Sequence, residues 1–278
     1  MSRVDFRARP GDRPGDPGAD PFSAGSAEPD ADAGQPDTRL EDTMTSSALA
    51  APASTDRIAG VRSGAAFVIA AAGPLAIAVV RVILPYDTTD GAATAVEKVA
   101  AAPAVEGAVL WLTYLALLTL PLGVLIAGRQ AMRARPALGA VAAVVAWVGF
   151  TSLFASVAIS DYLAQAAPTT GTSTSTTAAL LDAVNALPAT STASIVFVAG
   201  HILGGILLGV ALWRVVPAWA AVALALSQPL HLVFAVFIPN HVLDGVAWAL
   251  TAVGFAAAAV AWAKTDTPSL DRKESTSL

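Results

Sequence analysis

Apolar residues along this chain fall into long unbroken blocks rather than alternating with polar ones. A helix crossing a hydrocarbon core about 30 Å thick needs roughly 20 such residues. Six blocks reach that length: Gly64–Leu84, Ala108–Ala127, Ala137–Ile159, Ala193–Trp213, Ala218–Ile238 and Val242–Ala263. The pattern predicts an all-α polytopic transmembrane bundle of six spans over residues 61–264. Pro74, Pro121 and Pro229 fall within or beside these blocks. A bundle tolerates them because neighbouring helices satisfy the freed carbonyls. Only Pro239, Asn240 and His241 separate spans five and six, which predicts a tight hairpin. The segments 85–107 and 160–192 are longer, and each carries an amphipathic stretch (ATAVEKVAA and AALLDAVNAL) expected to lie as a short helix over the bundle. The tract TTGTSTSTT ahead of the second stretch reads as a flexible linker.

Composition sharpens this picture. The 278 residues are 55% hydrophobic and 13% charged, about half the charge of a soluble domain. Cysteine is absent, which excludes disulfides, thiolate metal ligands and cysteine nucleophiles. The net charge of −5 sits entirely in residues 1–60, where six Arg face eleven Asp and Glu; the remaining residues balance ten against ten. No basic footprint for nucleic acid exists, so the expected partner is the lipid bilayer. Residues 1–60, rich in Pro, Gly and Asp, are expected to form a disordered acidic cytoplasmic tail. This segment lacks the apolar core of a signal peptide, and Met44 offers an alternative start of translation. Residues 265–278 read as a short cytoplasmic C-terminal tail.

Lys and Arg set the expected orientation. With both termini on one side, six spans place Arg62, Arg129, Arg133, Arg135, Arg214, Lys264, Arg272 and Lys273 together. Only Arg81 and Lys98 lie toward the other side, where Asp87, Asp90, Glu97, Glu106, Asp161 and Asp182 collect. The positive-inside rule then gives an N-in, C-in protein, and the expected location is a bacterial cytoplasmic membrane. Tryptophans lie mostly toward block ends, as an interfacial belt requires.

Ionisable groups inside a bilayer are costly and face protein or water. The three histidines all map to the outer half: His201 in span four, His231 in span five and His241 opening span six, with Asp244 one turn further on. Arg81 and Asp161 sit at a comparable level. Gly200, Gly204, Gly205 and Gly209 allow close helix approach, and His201, Gly205 and Gly209 share a stripe that turns His201 toward another helix, with His231 the expected neighbour. Three readings of this group stay open. In the first, the side chains satisfy one another, with Arg81 pairing to Asp161 or Asp244. In the second, His201, His231, Asp244, Arg81 and Asp161 line an outer-leaflet pocket for a small ligand or ion. In the third, His201, His231, His241 and Asp244 hold zinc or a haem, making a metal- or haem-dependent membrane enzyme. No HExxH spacing supports that third arrangement. A P-loop, a Rossmann glycine pattern and a Gly-x-Ser-x-Gly elbow are also absent, so no catalytic residue is assigned and no cofactor is predicted outside it. The functional expectation is a non-enzymatic membrane protein of the second kind, with the third as its rival.

The Gly73-Pro74-Leu75 of span one, the acidic loop after it, the glycine-rich GHILGGILLGVALWR and the following Val215-x-Pro217-x-Trp219 carry one resemblance. From Val61 to Lys264 the chain resembles a loose group of six- or seven-span membrane proteins of high-GC bacteria, a domain of unknown function. The resemblance implies the same topology and transfers no catalytic residue.

Overall fold

The computed structural model describes residues 53–265, with side chains from Gly60 onward. The expectations for the two tails lie outside the described residues, apart from the stretch that enters the first helix. Among the described residues nine α-helices follow in order: α1 (Ala53–Ile83), α2 (Ala92–Ala101), α3 (Pro103–Ala134), α4 (Pro136–Thr151), α5 (Ile159–Ala166), α6 (Thr174–Asn185), α7 (Pro188–Leu212), α8 (Ala218–Leu232) and α9 (His241–Thr265). No strand occurs among the described residues. Among the described residues, six helical stretches are long and apolar enough to cross a membrane: Gly60–Ile83, Pro103–Ala134, Pro136–Thr170, Pro188–Leu212, Ala218–Phe237 and His241–Thr265. The chain is a multi-pass, all-α integral membrane protein.

Several boundaries differ from the hydropathy blocks, for a common reason. Hydropathy marks the lipid-crossing part, whereas the hydrogen-bond ladder runs on until proline or glycine stops it. Span two therefore starts at Pro103, which suits a first helical turn, and continues to Ala134. Arg129 and Arg133 are helical, leaving Arg135 alone between α3 and α4. Span three passes through a π-helical turn, Phe154–Ala158, into α5 and ends in a 3₁₀ turn, Ala167–Thr170. A second π turn, Val233–Phe237, closes α8. The Ser/Thr tract is not a linker. Gly171, at a φ of 68°, terminates the 3₁₀ turn, and Ser173 caps α6 by accepting from the Thr176 amide.

The spans close into a ring. Helix α1 packs on α3 and α9, α9 on α8, α8 on α7, α7 on α4, and α4 on α3; α3 also reaches α7 and α9 across the middle. Apolar contact with a neighbour gains little over contact with lipid, so this packing depends on close approach. The tightest crossing joins α4 and α7. A Cβ on Gly149 would stand 2.3 Å from the Gly200 carbonyl carbon, and one on Gly204 would stand 2.4 Å from the Ala146 Cα. On the other side of α7, a Cβ on Gly209 would meet the Ala221 carbonyl at 2.7 Å. Helix α7 is thus held between two partners, which sets the direction of His201.

Large apolar side chains such as Val68, Trp111, Val144, Ile195 and Trp219 remain exposed on the outer faces, where lipid would cover them. One end of the bundle is capped by α2 and α6, whose Val96, Val99 and Leu181 pack with Ala164 of α5. The opposite end carries Arg62, Arg129, Arg133, Arg135, Arg214 and Lys264. Trp248 departs from the expected belt, because it is fully buried beneath the capped end.

Candidate functional site

The polar groups of the capped end converge because three chain ends meet there. Arg81 occupies the last turn of α1, His231 the last turn of α8, and Asp244 the first turn of α9. Gly245 lets α9 approach α1 closely, since a Cβ there would lie 2.8 Å from the Ala78 carbonyl. Asp244 is 1% exposed and satisfies both neighbours. It accepts from Arg81 Nε with one oxygen and from His231 Nδ1, at 2.5 Å, with the other. Arg81 Nη2 donates to Thr88 Oγ1 at 2.6 Å. Of the two partners open to Arg81, the structure selects Asp244, because α9 packs directly on α1.

Asp161 finds a different partner. It is 4% exposed on α5 and accepts from the Tyr86 hydroxyl. Tyr86 lies in the loop after α1. Burial, reinforced by the Asp161 charge, pushes its phenol well above the ordinary tyrosine value. Such a group stabilises the fold fully below the unfolded value of about 10, and that contribution is lost as pH rises through the folded value. We expect alkaline pH above about 10 to lower stability, with part of that fall absent in Tyr86→Phe. Thermal scans of both proteins across this range check it.

His241 belongs to an outer ion network. Its Nδ1 donates to the Arg81 carbonyl at 3.0 Å, and its Nε2 faces Asp87 Oδ1 at 2.9 Å. Lys98 on α2 reaches Asp90 at 2.7 Å and Asp87 at 3.5 Å. Its hydrogen bond holds the Asp90 carboxyl below the usual carboxylate range.

His201 is 1% exposed, and its Nδ1 donates to the Phe197 carbonyl one turn earlier. Its ring stacks on Phe197, with centroids 4.3 Å apart, and runs nearly parallel to Trp248 at 6.2 Å. The His231 ring lies 5.6 Å away. His201, His231 and Asp244 therefore come together in the interior as the glycine stripe predicts, although His201 meets Asp244 only through His231. Deeper between α8 and α9, Gln228 donates to Thr251 at 2.6 Å and Thr251 to Ser227 at 2.8 Å. His201 Nε2, Trp248 Nε1 and Gln228 Oε1 are buried without a hydrogen-bond partner among the described residues.

The set His201, His231, His241 and Asp244 is not gathered at one point. Both nitrogens of His241 are engaged by Arg81 and Asp87, while Nδ1 of His201 is engaged by its own helix. Among the described residues, no three His, Cys, Asp or Glu side chains form a group that could hold a metal ion.

Beside these groups opens a cavity of about 180 Å³. Ile77, Val80, Leu84, Leu153, Val157 and Phe197 form its apolar wall, and Arg81, Tyr86, Asp87, Thr88, Asp90, Thr113, Asp161, His231 and Trp248 its polar side. A second cavity of about 320 Å³ under α2 and α6 shares Tyr86, Asp90 and Asp161 with the first.

Four contributors escape a reading of hydropathy alone: Tyr86, Thr88, Glu106 and Trp248. Glu106 counts as a loop acid by hydropathy, yet Pro103 opens α3 and puts it in the first turn, wholly buried with neither oxygen partnered among the described residues. Pro103 was the available signal. Trp248 lies four residues after Asp244, so helical spacing places it on the same face. Tyr86 and Thr88 are loop residues with no periodicity to reveal them.

No family model matches this chain, no curated protein matches its sequence, and no solved structure matches its fold.

Proposed function

We propose that this multi-pass membrane protein binds a small ligand in the cavity at its capped end, without chemistry of its own, and that this end faces away from the cytoplasm of a bacterial cell. One observation carries the binding reading. Arg81, Asp244 and His231 satisfy one another, which by itself would be a packing device. Asp161 Oδ2 and His231 Nε2, by contrast, make no hydrogen bond among the described residues, and both side chains line the cavity. A polar group on an otherwise apolar wall is the usual make-up of a ligand pocket. Orientation rests on the arginine-rich end being retained on the side of synthesis, giving N-in and C-in. The resemblance to six- and seven-span proteins of high-GC bacteria agrees with that topology.

Two measurements test the proposal. The native chain has no cysteine, so single cysteines introduced at Thr172 and Arg135 report sidedness cleanly. A membrane-impermeant thiol reagent added to intact cells should label T172C and spare R135C; the reverse would overturn the orientation. For binding, Val157→Trp fills the cavity from a partly exposed position. Small molecules that raise the melting temperature of the parent in lipid nanodiscs should lose that effect in V157W. Equal shifts in both proteins would show that binding occurs elsewhere.

A further inference from the structure

The partners of the polar groups around the cavity indicate the class of ligand, an inference that rests on the cavity being a ligand site. Arg81 and Asp244 form an ion pair, and His231 Nδ1 donates to the other Asp244 oxygen. Outside them, His241 meets the Arg81 carbonyl and Asp87, and Lys98 meets Asp90 and Asp87. Asp161 is left over. Its one partner among the described residues is the neutral phenol of Tyr86. Glu106 of α3 is also wholly buried and has no partner for either oxygen among the described residues. A buried carboxylate favours a counter-charge, and no Lys, Arg or His side chain bonds to Asp161 among the described residues.

We infer that the cavity takes a small organic monocation, a protonated amine on a short apolar body, whose N–H groups reach the free oxygen of Asp161. Three further features agree. Phe197 and Trp248 line the cavity, and aromatic faces attract ammonium groups. Leu84, Leu153 and Val157 offer an apolar bed for the rest of the molecule. An engineered cavity of about 150 Å³ holds benzene, so the 180 Å³ here matches a benzene-sized ring with a short arm. An anion is disfavoured: Arg81 faces the same space, but its Nε and Nη2 already serve Asp244 and Thr88.

The test is a calorimetric titration of the full chain in nanodiscs with benzylammonium, benzyl alcohol and benzoate, using empty nanodiscs to subtract partition into lipid. The ammonium should bind at least about tenfold tighter than the alcohol, the scale of a charge-assisted hydrogen bond, and benzoate should bind weakest. Asp161→Asn should bring the ammonium down to the level of the alcohol. Glu97→Gln, exposed on α2 and away from the cavity, should change nothing. If the alcohol or benzoate binds as tightly as the ammonium, the cation inference falls while the ligand cavity stands. If none of the three binds, both fall. Retained ammonium preference in D161N also overturns the inference. Should D161N fail to fold, the three-ligand comparison on the unaltered protein still decides.

Discussion

Asp244→Ala should destabilise the bundle by about 3–5 kcal/mol, the usual penalty for removing one partner of a buried ion pair. Among the described residues Asp244 is the one acidic side chain bonded to Arg81, and it also anchors His231. Its removal strands a guanidinium in the end of α1 and frees an imidazole in the end of α8. Three helices lose their common pin at once. Asp244→Asn keeps the shape and one acceptor, so its effect should be smaller. The pair Arg81→Met with Asp244→Leu removes both charges together and should recover much of the loss, because no buried charge is left unpaired. Thermal unfolding of the detergent-solubilised proteins orders these variants. If D244A melted with the parent, as Glu97→Ala on the exposed face of α2 should, the buried network would not hold the helix ends together.

Gly149→Val and Gly204→Val should prevent assembly of the bundle altogether. Extra methyl groups in a packed core ordinarily cost about 1–3 kcal/mol, because side chains can shift to make room. Here the contacts leave no such escape. The nearest atoms are backbone: the Gly200 carbonyl carbon and His201 amide for Gly149, and the Ala146 Cα for Gly204. Helices α4 and α7 would have to separate, and α7 cannot retreat because Gly209 already abuts α8. The His201 ring would leave the neighbourhood of His231. Size-exclusion profiles should show loss of the monodisperse species for both variants, whereas Gly64→Ala, with open space around it, should behave as the parent. A normal profile for G149V would mean that α4 and α7 are not in this contact.

The two predictions draw on different kinds of information, and the division shows what was legible. Six spans, their order and the two covering helices could be read directly, because each depends on a local property: about 20 apolar residues in a row, or a short amphipathic repeat. The glycine stripe with His201 was also legible, since helical geometry turns spacing into direction. Ends of elements were less so, as with Pro103 and the Ser173 cap, where one residue of backbone chemistry outweighs a stretch of composition.

Partnership was beyond reach. Arg81 had two acidic candidates at the same depth, and 80 residues separate it from Asp161 while 163 separate it from Asp244. Sequence distance says nothing about which helix closes the ring beside α1. Tyr86 likewise meets Asp161 only because the loop after α1 turns inward, and Glu106 loses solvent only because α3 starts early beneath the cap. The sequence alone determined a membrane helix bundle with its charges sorted to the two ends, since hydrocarbon and helical pitch act on neighbouring residues. Tertiary structure alone decided that Arg81 pairs with Asp244 and that Tyr86 bonds to Asp161, since Coulomb attraction and close packing act through space and need the ring of helices to be closed first.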